Sequence, residues 1–350
     1  MPATLTLPAE AQAPANQAIV EIDVRLTPLD MYRASRATAW RQVRWTIIVA
    51  CPTMLLISLL RGGPLLFIVI AFLNLFTFAI LSLLMFMGAR STLRTSRVLR
   101  GDIHYSFEPH CLRSRGQTFW TVQDWSNLYE VLETRHLLIL RSSSAQKVVI
   151  PKRYLLGGAL EKVRAIARKS PPTPLAPNPQ TRTVAGSALL AATVLMQAED
   201  LYQGFLILLL RKSYWYALQL AFPLFLLYLL NPQFRSPLAF VVVGSIFFFY
   251  LAISFYRASS KAIRTNAAYQ NAITYTFGAS GLDGAGLTHA FHHDWGNFLA
   301  VIEASKIFVF CPSNAQMVIV PKRSFTDPAQ ISQLRQLLKT HYQGKLSLKH

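Results

Sequence analysis

Three histidines and an aspartate form the most chemically capable group in this sequence: His289, His292 and His293 stand directly before Asp294. Imidazole and carboxylate side chains are ligands for zinc and other transition metals. On a β-strand, however, successive side chains point to opposite faces, so that His292 and His293 would diverge from any shared ion. The pattern therefore predicts no metal site and no cofactor.

The other residue types that do chemistry are isolated from one another. Glu133 and Glu303 have no second carboxylate at a catalytic spacing, which general acid–base catalysis would need. Cys51, Cys111 and Cys311 form no CxxC pair, which favours reduced structural thiols. The sequence contains no phosphate-loop, nucleophile-elbow or zinc-protease motif. We therefore predict a protein without enzymatic activity and without catalytic residues.

Positive charge is the strongest clue to partners. Lysine and arginine outnumber aspartate and glutamate by 35 to 16, which gives a formal net charge of +19. Anionic lipid headgroups are the expected partners, and nucleic acid is not expected because no basic stripe is interleaved with aromatic residues. The candidate lipid- or partner-binding residues are Lys152, Arg153, Lys322, Arg323, Arg90, Arg94, Arg97, Arg257, Lys261 and Arg264.

These candidates fall into two groups. Lys152-Arg153 and Lys322-Arg323 each follow a proline at the predicted end of a strand. Arginine offers phosphate a bidentate fork, which would make a cationic lip for lipid headgroups. The simpler interpretation, a strand end followed by solvated charges, is favoured because basic residues at loop edges are common. The remaining candidates recur every three or four residues, so that they share one face of a helix.

A single offset of 170 residues aligns the two halves of the chain. It brings Asp30 onto Asp200, and the tripeptide Pro-Lys-Arg at 151–153 onto the same tripeptide at 321–323. Such a match indicates a duplication. The predicted organisation is a disordered N-terminus over 1–18, repeat 1 over 19–169, a proline-rich linker over 170–183, repeat 2 over 184–342 and a basic tail over 343–350.

The dipeptide Asp-Trp occurs at the same place in both repeats, as Asp124-Trp125 and Asp294-Trp295. A tryptophan beside a strand turn most often fills the core and donates its indole N–H to a buried acceptor, while the aspartate forms an Asx turn. We interpret these four residues as a structural motif of the repeat.

Each repeat contains two long apolar segments, which hydropathy identifies as transmembrane helices. Basic residues cluster on the outer flanks of each pair, and the positive-inside rule then places both hairpin tips outside the cell. The prediction is a multi-pass protein of the plasma (cytoplasmic) membrane, with its soluble domains and both termini in the cytosol. The predicted spans are 45–60 and 64–88 in repeat 1, and 213–231 and 236–256 in repeat 2.

The segment 184–210 is apolar enough to suggest a fifth span, but Glu199-Asp200 interrupts it. Its counterpart in repeat 1, from Ile22 to Trp40, has the pattern of a strand followed by an amphipathic helix. We therefore predict a strand and an interfacial helix here, with a fifth span as the alternative.

After each hairpin the apolar pattern changes to the alternation of a half-buried strand, as in residues 103–107. Several short β-rich runs follow, and each repeat closes with a helix; Asp327-Pro328 predicts where the second of these helices begins. The predicted soluble domains cover 101–169 and 271–342. Each is a small antiparallel sheet or barrel capped by a C-terminal helix.

This order of a strand, a helical hairpin, antiparallel strands with an Asp-Trp turn, a Pro-Lys-Arg strand end and a final helix resembles the bacterial YcxB-like family. The resemblance covers 19–169 and 184–342, and the soluble part is similar to pleckstrin-homology-like domains in strand number and terminal helix. The family brings no catalytic residues with it. The resemblance implies an α+β membrane protein of two repeats, each a transmembrane hairpin plus a pleckstrin-like domain.

A non-enzymatic scaffold or adaptor is the function that these features favour. It would be an integral membrane protein whose cytosolic domains bind lipid headgroups or a protein partner, or associate with a second copy. Tethering would supply a high effective concentration, so that weak intrinsic affinity suffices. The alternative is a small transporter or channel formed by the four membrane helices. Against it, the predicted spans lack the ionisable residues that mark most transport pathways.

Overall fold

The computed structural model describes residues 19–40, 68, 75, 82–128, 130–142, 147–169, 189–211, 237–313 and 316–348. Over these residues the chain is an α+β protein built on antiparallel sheets, with one short parallel pair of strands. The same series of elements occurs twice, in the order that the duplication predicts. Each repeat builds its own hydrophobic core.

Repeat 1 begins with a strand and a helix, continues through helical segments into a run of strands, and closes with a helix. In chain order its described elements are β1 (Val20–Val24), α1 (28–40), α2 (82–95), α3 (Arg97–Arg100), β2 (Ile103–Phe107), β3 (Cys111–Arg115), β4 (Phe119–Asp124), β5 (Glu130–Glu133), β6 (Leu137–Arg141), β7 (Lys147–Pro151) and α4 (Ala159–Lys169). One-turn 3₁₀ helices follow β4 and β7.

Repeat 2 follows the same order and adds one strand at its end. Its described elements are β8 (Leu190–Val194), α5 (Ala198–Arg211), α6 (Pro237–Thr265), α7 (Ala267–Gln270), β9 (Ile273–Phe277), β10 (Gly281–Ala285), β11 (His289–Asp294), β12 (Ala300–Glu303), β13 (Ile307–Cys311), β14 (Val318–Pro321), α8 (Pro328–His341) and β15 (Lys345–Ser347).

The burial of side chains explains why the strands form where they do. In β2 the side chains of Ile103, Tyr105 and Phe107 are buried, and the residues between them are partly exposed. β9 repeats this alternation, which is typical of a sheet with one face on the core. The strands β6 and β13 are buried at every residue, because they are the central strands of the smaller sheets.

The two repeats are joined in one large sheet. Its strand order is β1-β2-β3-β4-β11-β10-β9-β8, so that β4 of repeat 1 pairs with β11 of repeat 2. The pairing is antiparallel, with Phe119 opposite His293 and Thr121 opposite Phe291. Thr121 and Phe291 are also counterparts at the offset of 170. The β4–β11 ladder, which we call the seam, therefore lies on a pseudo-two-fold axis.

The axis of an antiparallel ladder is perpendicular to the sheet, so that equivalent elements of the two repeats lie on the same side of the sheet. Hydrogen bonds at both ends of the seam follow this symmetry. The backbone N–H of Asp124 donates to the carbonyl of Thr288 at 2.9 Å, and that of Asp294 donates to the carbonyl of Thr118 at 3.1 Å. The seam is thereby extended at each end.

A smaller sheet and a closing helix complete each repeat. The smaller sheet is β5-β6-β7 in repeat 1 and β14-β13-β12-β15 in repeat 2. Helix α8 begins at the predicted cap: the Asp327 side chain accepts a hydrogen bond from the N–H of Ala329 at 2.8 Å, and Pro328 is in the first turn. The buried side chains of Leu334 and Leu338 attach α8 to the core of repeat 2.

The predicted transmembrane hairpins are wrong by this structure. In the described part of the chain, no helix is both long enough and apolar enough to cross a bilayer. The predicted spans 45–60 and 213–231 lie outside the described residues, and the span 64–88 is described only at 68, 75 and from 82 onward. The predicted multi-pass localisation in the plasma membrane depended on these spans and is therefore also wrong by this structure.

The fourth predicted span, 236–256, falls on α6, which shows why hydropathy misled. This helix continues beyond the uncharged run into Arg257 and Lys261. Helix α5 packs along it, with the rings of Tyr202 and Tyr256 edge to face at 5.9 Å. A run of apolar residues does not reveal what covers it, and here a helix of the same repeat covers part of it.

The other predicted segments have mixed outcomes. Segment 184–210 contains β8 and α5, so that the prediction of a strand followed by a helix is confirmed, in place of a fifth span. The N-terminus 1–18 and the linker 170–183 lie outside the described residues. The basic tail 343–350 contains β15, which pairs in parallel with β12.

Asn297 is fully buried at the seam, where its side-chain amide donates to the carbonyl of Thr118 at 2.5 Å and accepts from the Thr118 hydroxyl at 2.6 Å. We predict that Asn297→Leu lowers the free energy of unfolding by about 1–3 kcal/mol, because the Thr118 hydroxyl loses its acceptor and the Thr118 carbonyl keeps only the N–H of Asp294. Urea denaturation measures the change. The matched variant Asn127→Leu removes one 3.3 Å contact with the N–H of Ala268 and should cost less; an equal loss would contradict this role of Asn297.

Candidate functional site at the basic helix ends

The arginines of the two Pro-Lys-Arg motifs are bound to buried carboxylates of their own repeats. Arg153 donates to Asp30 through two hydrogen bonds of 2.8 and 2.7 Å, and Arg323 donates to Asp200 through two of 2.5 and 2.6 Å. Both aspartates are almost completely buried. Burial by itself raises the pKa of Asp30, yet its hydrogen bonds, chiefly those from Arg153, hold that pKa below the ordinary value.

The same aspartates cap the helices that follow β1 and β8. The Asp30 carboxylate accepts from the N–H of Thr27 at 2.9 Å, and the Thr27 hydroxyl accepts from the N–H of Asp30 at 3.2 Å, as in a capping box. In repeat 2 the Asp200 carboxylate accepts from the N–H of Gln197 at 2.9 Å. One carboxylate therefore fastens the end of the last strand to the first turn of α1 or α5.

Each motif lysine binds a second carboxylate, which is buried in repeat 2 and partly exposed in repeat 1. In repeat 2, Glu303 accepts from Lys322 at 2.5 Å and from Arg335 of the closing helix at 3.0 and 2.6 Å. The Glu303 side chain is completely buried. Burial raises its pKa, but the hydrogen bonds from Arg335 and Lys322 outweigh burial and keep the pKa below its ordinary value.

Repeat 1 contains the same group, formed by Glu133, Lys152 and Arg164. Hydrogen bonds from Arg164, and then from Lys152, lower the pKa of Glu133 to about 2. All four motif cations are thus engaged in ion pairs that connect the last strand to two helices. The use of these four cations to bind lipid phosphate stays a prediction. Their donors already make hydrogen bonds to carboxylates within the protein.

Both tryptophans of the Asp-Trp dipeptides have the predicted structural role, but only Asp124 forms the predicted turn cap: the Asp294 side chain makes no cap hydrogen bond and contacts His292 instead. The indole N–H of Trp125 donates to the carbonyl of Glu108 at 2.8 Å, and that of Trp295 donates to the carbonyl of Gly278 at 3.0 Å. Both indole rings are buried. The Asp124 carboxylate caps the 3₁₀ turn that follows it. The two tryptophans hold the turn at each end of the seam.

The histidines of β11 separate into two environments, as the alternation of a strand predicts. His292 lies between Asp283 and Asp294, at 2.8 and 2.9 Å. Partial burial lowers its pKa, but the two carboxylates outweigh burial and raise it to about 9. Both ring nitrogens are therefore used, and nowhere in the described residues do three or more potential ligands form a group that could hold a metal ion.

His289 and His293 lie on the opposite face of β11, on either side of Phe291. Their rings are 6.3 and 5.4 Å from that of Phe291. Burial lowers the pKa of both imidazoles to about 4, and the nearby charge of His292 adds to the effect on His293. The buried Nδ1 atom of each ring has no hydrogen-bond partner among the described residues. These two histidines are neutral packing residues of the seam at neutral pH.

The other six candidates are exposed cations near the seam. We call Arg90, Arg94 and Arg97 the first basic row, and Arg257, Lys261 and Arg264 the second basic row. All six are exposed. As far as the structure is described, no carboxylate pairs with an arginine of the first row. The prediction of one helix face fits Arg90 and Arg94 on α2 and the second row on α6, whereas Arg97 follows the extended residue Ser96 and belongs to α3.

Exposed apolar side chains precede each row on the same face of the helix. Leu83 and Met87 are 58 % and 53 % exposed, and Phe249 and Ile253 are 71 % and 38 % exposed. Leu83 and Met87 continue into Arg90 and Arg94 on α2, and Phe249 and Ile253 continue into the second row on α6, at the steps of three or four residues that one helix face requires. Sequence reasoning assigned these four residues to transmembrane spans and missed them as surface residues, because hydropathy carries no information on exposure.

The first row ends beside the seam, and the short helix that follows the second row reaches it. Helix α3 contacts the 3₁₀ turn Trp295–Asn297 of the other repeat, and α7 contacts the equivalent turn Trp125–Asn127. The guanidinium of Arg97 lies so close to Gly296 that a β-carbon there would be 3.1 Å from it. Since the pseudo-two-fold axis is perpendicular to the large sheet, the two rows lie on the same side of that sheet.

Comparison with protein-family models, with curated proteins and with solved structures gives no match to this chain. The resemblance to the YcxB-like family and to pleckstrin-homology-like domains therefore stays a prediction.

Removing one motif arginine tests its structural role. We predict that Arg323→Met lowers the free energy of unfolding by about 1–3 kcal/mol, because Asp200 stays buried without its bidentate partner. Urea denaturation measures the loss. Lys339→Met, which removes an exposed cation of α8, is the matched control and should leave the midpoint unchanged. A wild-type midpoint for Arg323→Met would contradict the assigned role.

The histidines make the stability of the seam depend on pH in two directions. Unfolded histidine has a pKa of 6.5, whereas folded His289 and His293 have pKa values of about 4. The unfolded state therefore binds more protons between these values, and stability falls as the pH falls from 6.5 to 4. His292, with a folded pKa of about 9, contributes fully below pH 6.5 and loses its contribution as the pH rises through 9.

We expect single variants to separate the two effects in urea denaturation between about pH 4.5 and pH 9. His289→Phe, which introduces the residue found at the counterpart Phe119, should flatten the decrease on the acid side. His292→Gln should flatten the decrease on the alkaline side. Profiles that keep the wild-type shape in both variants would show that these histidines do not control the pH dependence.

Proposed function

We propose that this chain is a non-enzymatic scaffold that binds anionic lipid headgroups through its two basic rows. The observation that carries the proposal is the arrangement of the rows. Each row is exposed, each follows exposed apolar side chains on the same helix, and the seam sets both rows on one side of the large sheet. A surface that presents phosphates above an apolar layer complements this arrangement.

The spacing along each helix matches the boundary between lipid and water. At a rise of about 1.5 Å per residue, Leu83 lies about 10 Å from Arg90 along the axis, and Phe249 lies about 12 Å from Arg257. A helix inclined toward the membrane normal would place its apolar residues deeper than its cations, near the boundary between headgroups and acyl chains. The apolar residues would reach that boundary while the cations stay among the phosphates.

Two rows on one body bind more tightly than either row alone. A basic residue near an anionic membrane surface contributes about 1 kcal/mol, so that one row of three supplies about 3 kcal/mol, or about 150-fold in affinity. Once the first row is bound, the second meets the same surface without a further loss of translational freedom. The seam thus converts two weak contacts into one stronger one.

Alternatives from other classes are less well supported. The cluster Asp283-His292-Asp294 has both imidazole nitrogens in hydrogen bonds, which leaves no open proton position for a substrate. Nucleic acid also presents phosphates, but it offers no apolar layer to the exposed side chains of Leu83 and Phe249. The transporter or channel required a membrane region of four helices. Because the predicted transmembrane hairpins are wrong, we do not propose it.

Charge reversal tests the proposal. We predict that replacing all six row cations with glutamate weakens the binding of the full chain to vesicles containing phosphatidylglycerol by at least about 100-fold. Reversal of one row alone should give an intermediate loss. Co-sedimentation at low and high salt measures the binding, which should weaken with salt because ions screen surface charges.

The matched control reverses three exposed cations elsewhere, Arg135, Lys306 and Lys339. It should bind the vesicles nearly as well as the wild type. Equal binding to neutral phosphatidylcholine vesicles, or an equal loss in the control, would count against the proposal. Tighter binding to RNA than to anionic vesicles would reassign the rows to nucleic acid.

A further inference from the structure

In repeat 2 the tail of the chain covers one edge of the smaller sheet. Strand β15 adds to β12 in parallel, with Lys345 opposite Ala300 and Leu346 opposite Val301. Leu346 packs against the core. Tyr342, just before this strand, is almost completely buried, and its hydroxyl donates to a backbone carbonyl at 3.1 Å. The edge of β12 is therefore closed by the chain itself.

The counterpart edge in repeat 1 is β5, and it is exposed. Val131 is the counterpart of Val301 at the offset of 170, yet Val131 is 41 % exposed and Val301 is 0 % exposed. On the same face, the Glu133 side chain is 31 % exposed and the Glu303 side chain is 0 % exposed. Because the residue types are identical, the difference lies in what covers the strand.

The closing helices and their extensions account for this difference. Arg164 and Arg335 make the same ion pair, which aligns α4 with α8 at an offset of 171. Ala167 then occupies the place of the fully buried Leu338. In the described part of repeat 1, no residue takes the place of Tyr342, and the smaller sheet ends at β5. One edge strand of repeat 1 thus lacks the cover that its counterpart has.

We propose that the exposed edge of β5 binds an extended segment of a partner protein, which adds in parallel as β15 adds to β12. The backbone N–H and C=O groups along a sheet edge are a template for such strand addition. The inference is independent of lipid binding, because β5 carries no residue of the basic rows.

The register of β15 defines the chemistry of the segment. Transferred to repeat 1, the place of Lys345 lies opposite Glu130, and the place of Leu346 lies opposite Val131. A basic side chain at the first place would face the carboxylate that already pairs with Arg141 at 2.6 Å. An apolar side chain at the second place would cover the exposed valine. The expected segment is therefore a basic residue followed by an apolar one.

The linker of this chain is a poor occupant for the same edge. Residues 170–177 directly follow α4, and four of these eight residues are prolines. Proline has no backbone N–H to donate to a ladder and is disfavoured inside strands. A segment without prolines, such as Lys345–Ser347, keeps all of its donors.

The test uses the full chain and a fluorescent peptide with the sequence of residues 342–349. We expect saturable 1:1 binding in fluorescence anisotropy, weakened at least about tenfold by Val131→Lys and unchanged by Val131→Ile, which keeps an apolar side chain. The peptide carrying Leu346→Asp should not bind. Since Val131 is exposed, both protein variants should keep the wild-type urea midpoint, which checks that they fold.

Four results would overturn the inference. The first is no binding of the peptide. The second is binding that Val131→Lys leaves unchanged, because the peptide would then be replacing β15 on β12. The third is a lower urea midpoint with tighter peptide binding in Leu175→Asp, which would show that the linker fills the edge. The fourth is a concentration-dependent dimer that Val131→Lys abolishes, which would assign the edge to a second copy.

Discussion

The antiparallel ladder between β4 and β11 is the interaction on which the rest of the molecule depends. It joins the two repeats into one sheet, and its axis through Thr121 and Phe291 decides on which side of that sheet each pair of equivalent elements lies. A two-fold pair of parallel strands would need an axis along the strands, which exchanges the faces of a sheet. The two basic rows would then point in opposite directions. Because the ladder is antiparallel, both rows lie on the same side of the sheet.

Inside each repeat, a buried carboxylate plays a comparable part at shorter range. Asp30 and Asp200 are among the least exposed polar residues, and a buried carboxylate is stable only when donors replace its water. Arg153 and Arg323 supply those donors from the end of the last strand, so that the first helix of each repeat is held at its first turn. The charge of the Pro-Lys-Arg motif thus fixes positions, whereas the cations of the basic rows are exposed.

The duplication made many of these residues predictable, but not their partners. One offset identified the Asp-Trp turns, both Pro-Lys-Arg motifs and the alternating strands. The pair formed by Asp30 and Arg153 spans 123 positions, and such a contact arises only when the fold closes. The seam was harder to predict, because its hydrogen bonds join backbone groups that every residue possesses. The side chains of its two strands also differ, since Phe119 of repeat 1 corresponds to His289 of repeat 2. Hydropathy identified long apolar runs, but in the part of the chain that the structure describes no helix is long and apolar enough to cross a bilayer.

The seam is symmetric in its backbone and asymmetric in its side chains. Trp120 lies opposite His292, with their rings stacked at 6.5 Å, whereas the symmetry-related position pairs Val122 with Ala290. Two identical chains would have to repeat one set of contacts on both sides of the axis. A single chain with two repeats is free of that constraint. The single chain keeps the two-fold backbone that places both rows. One half of the seam carries titratable histidines and the other does not. In the described residues, only repeat 2 closes its smaller sheet with a tail. The two repeats are therefore equivalent in how they are placed and different in what their surfaces can bind.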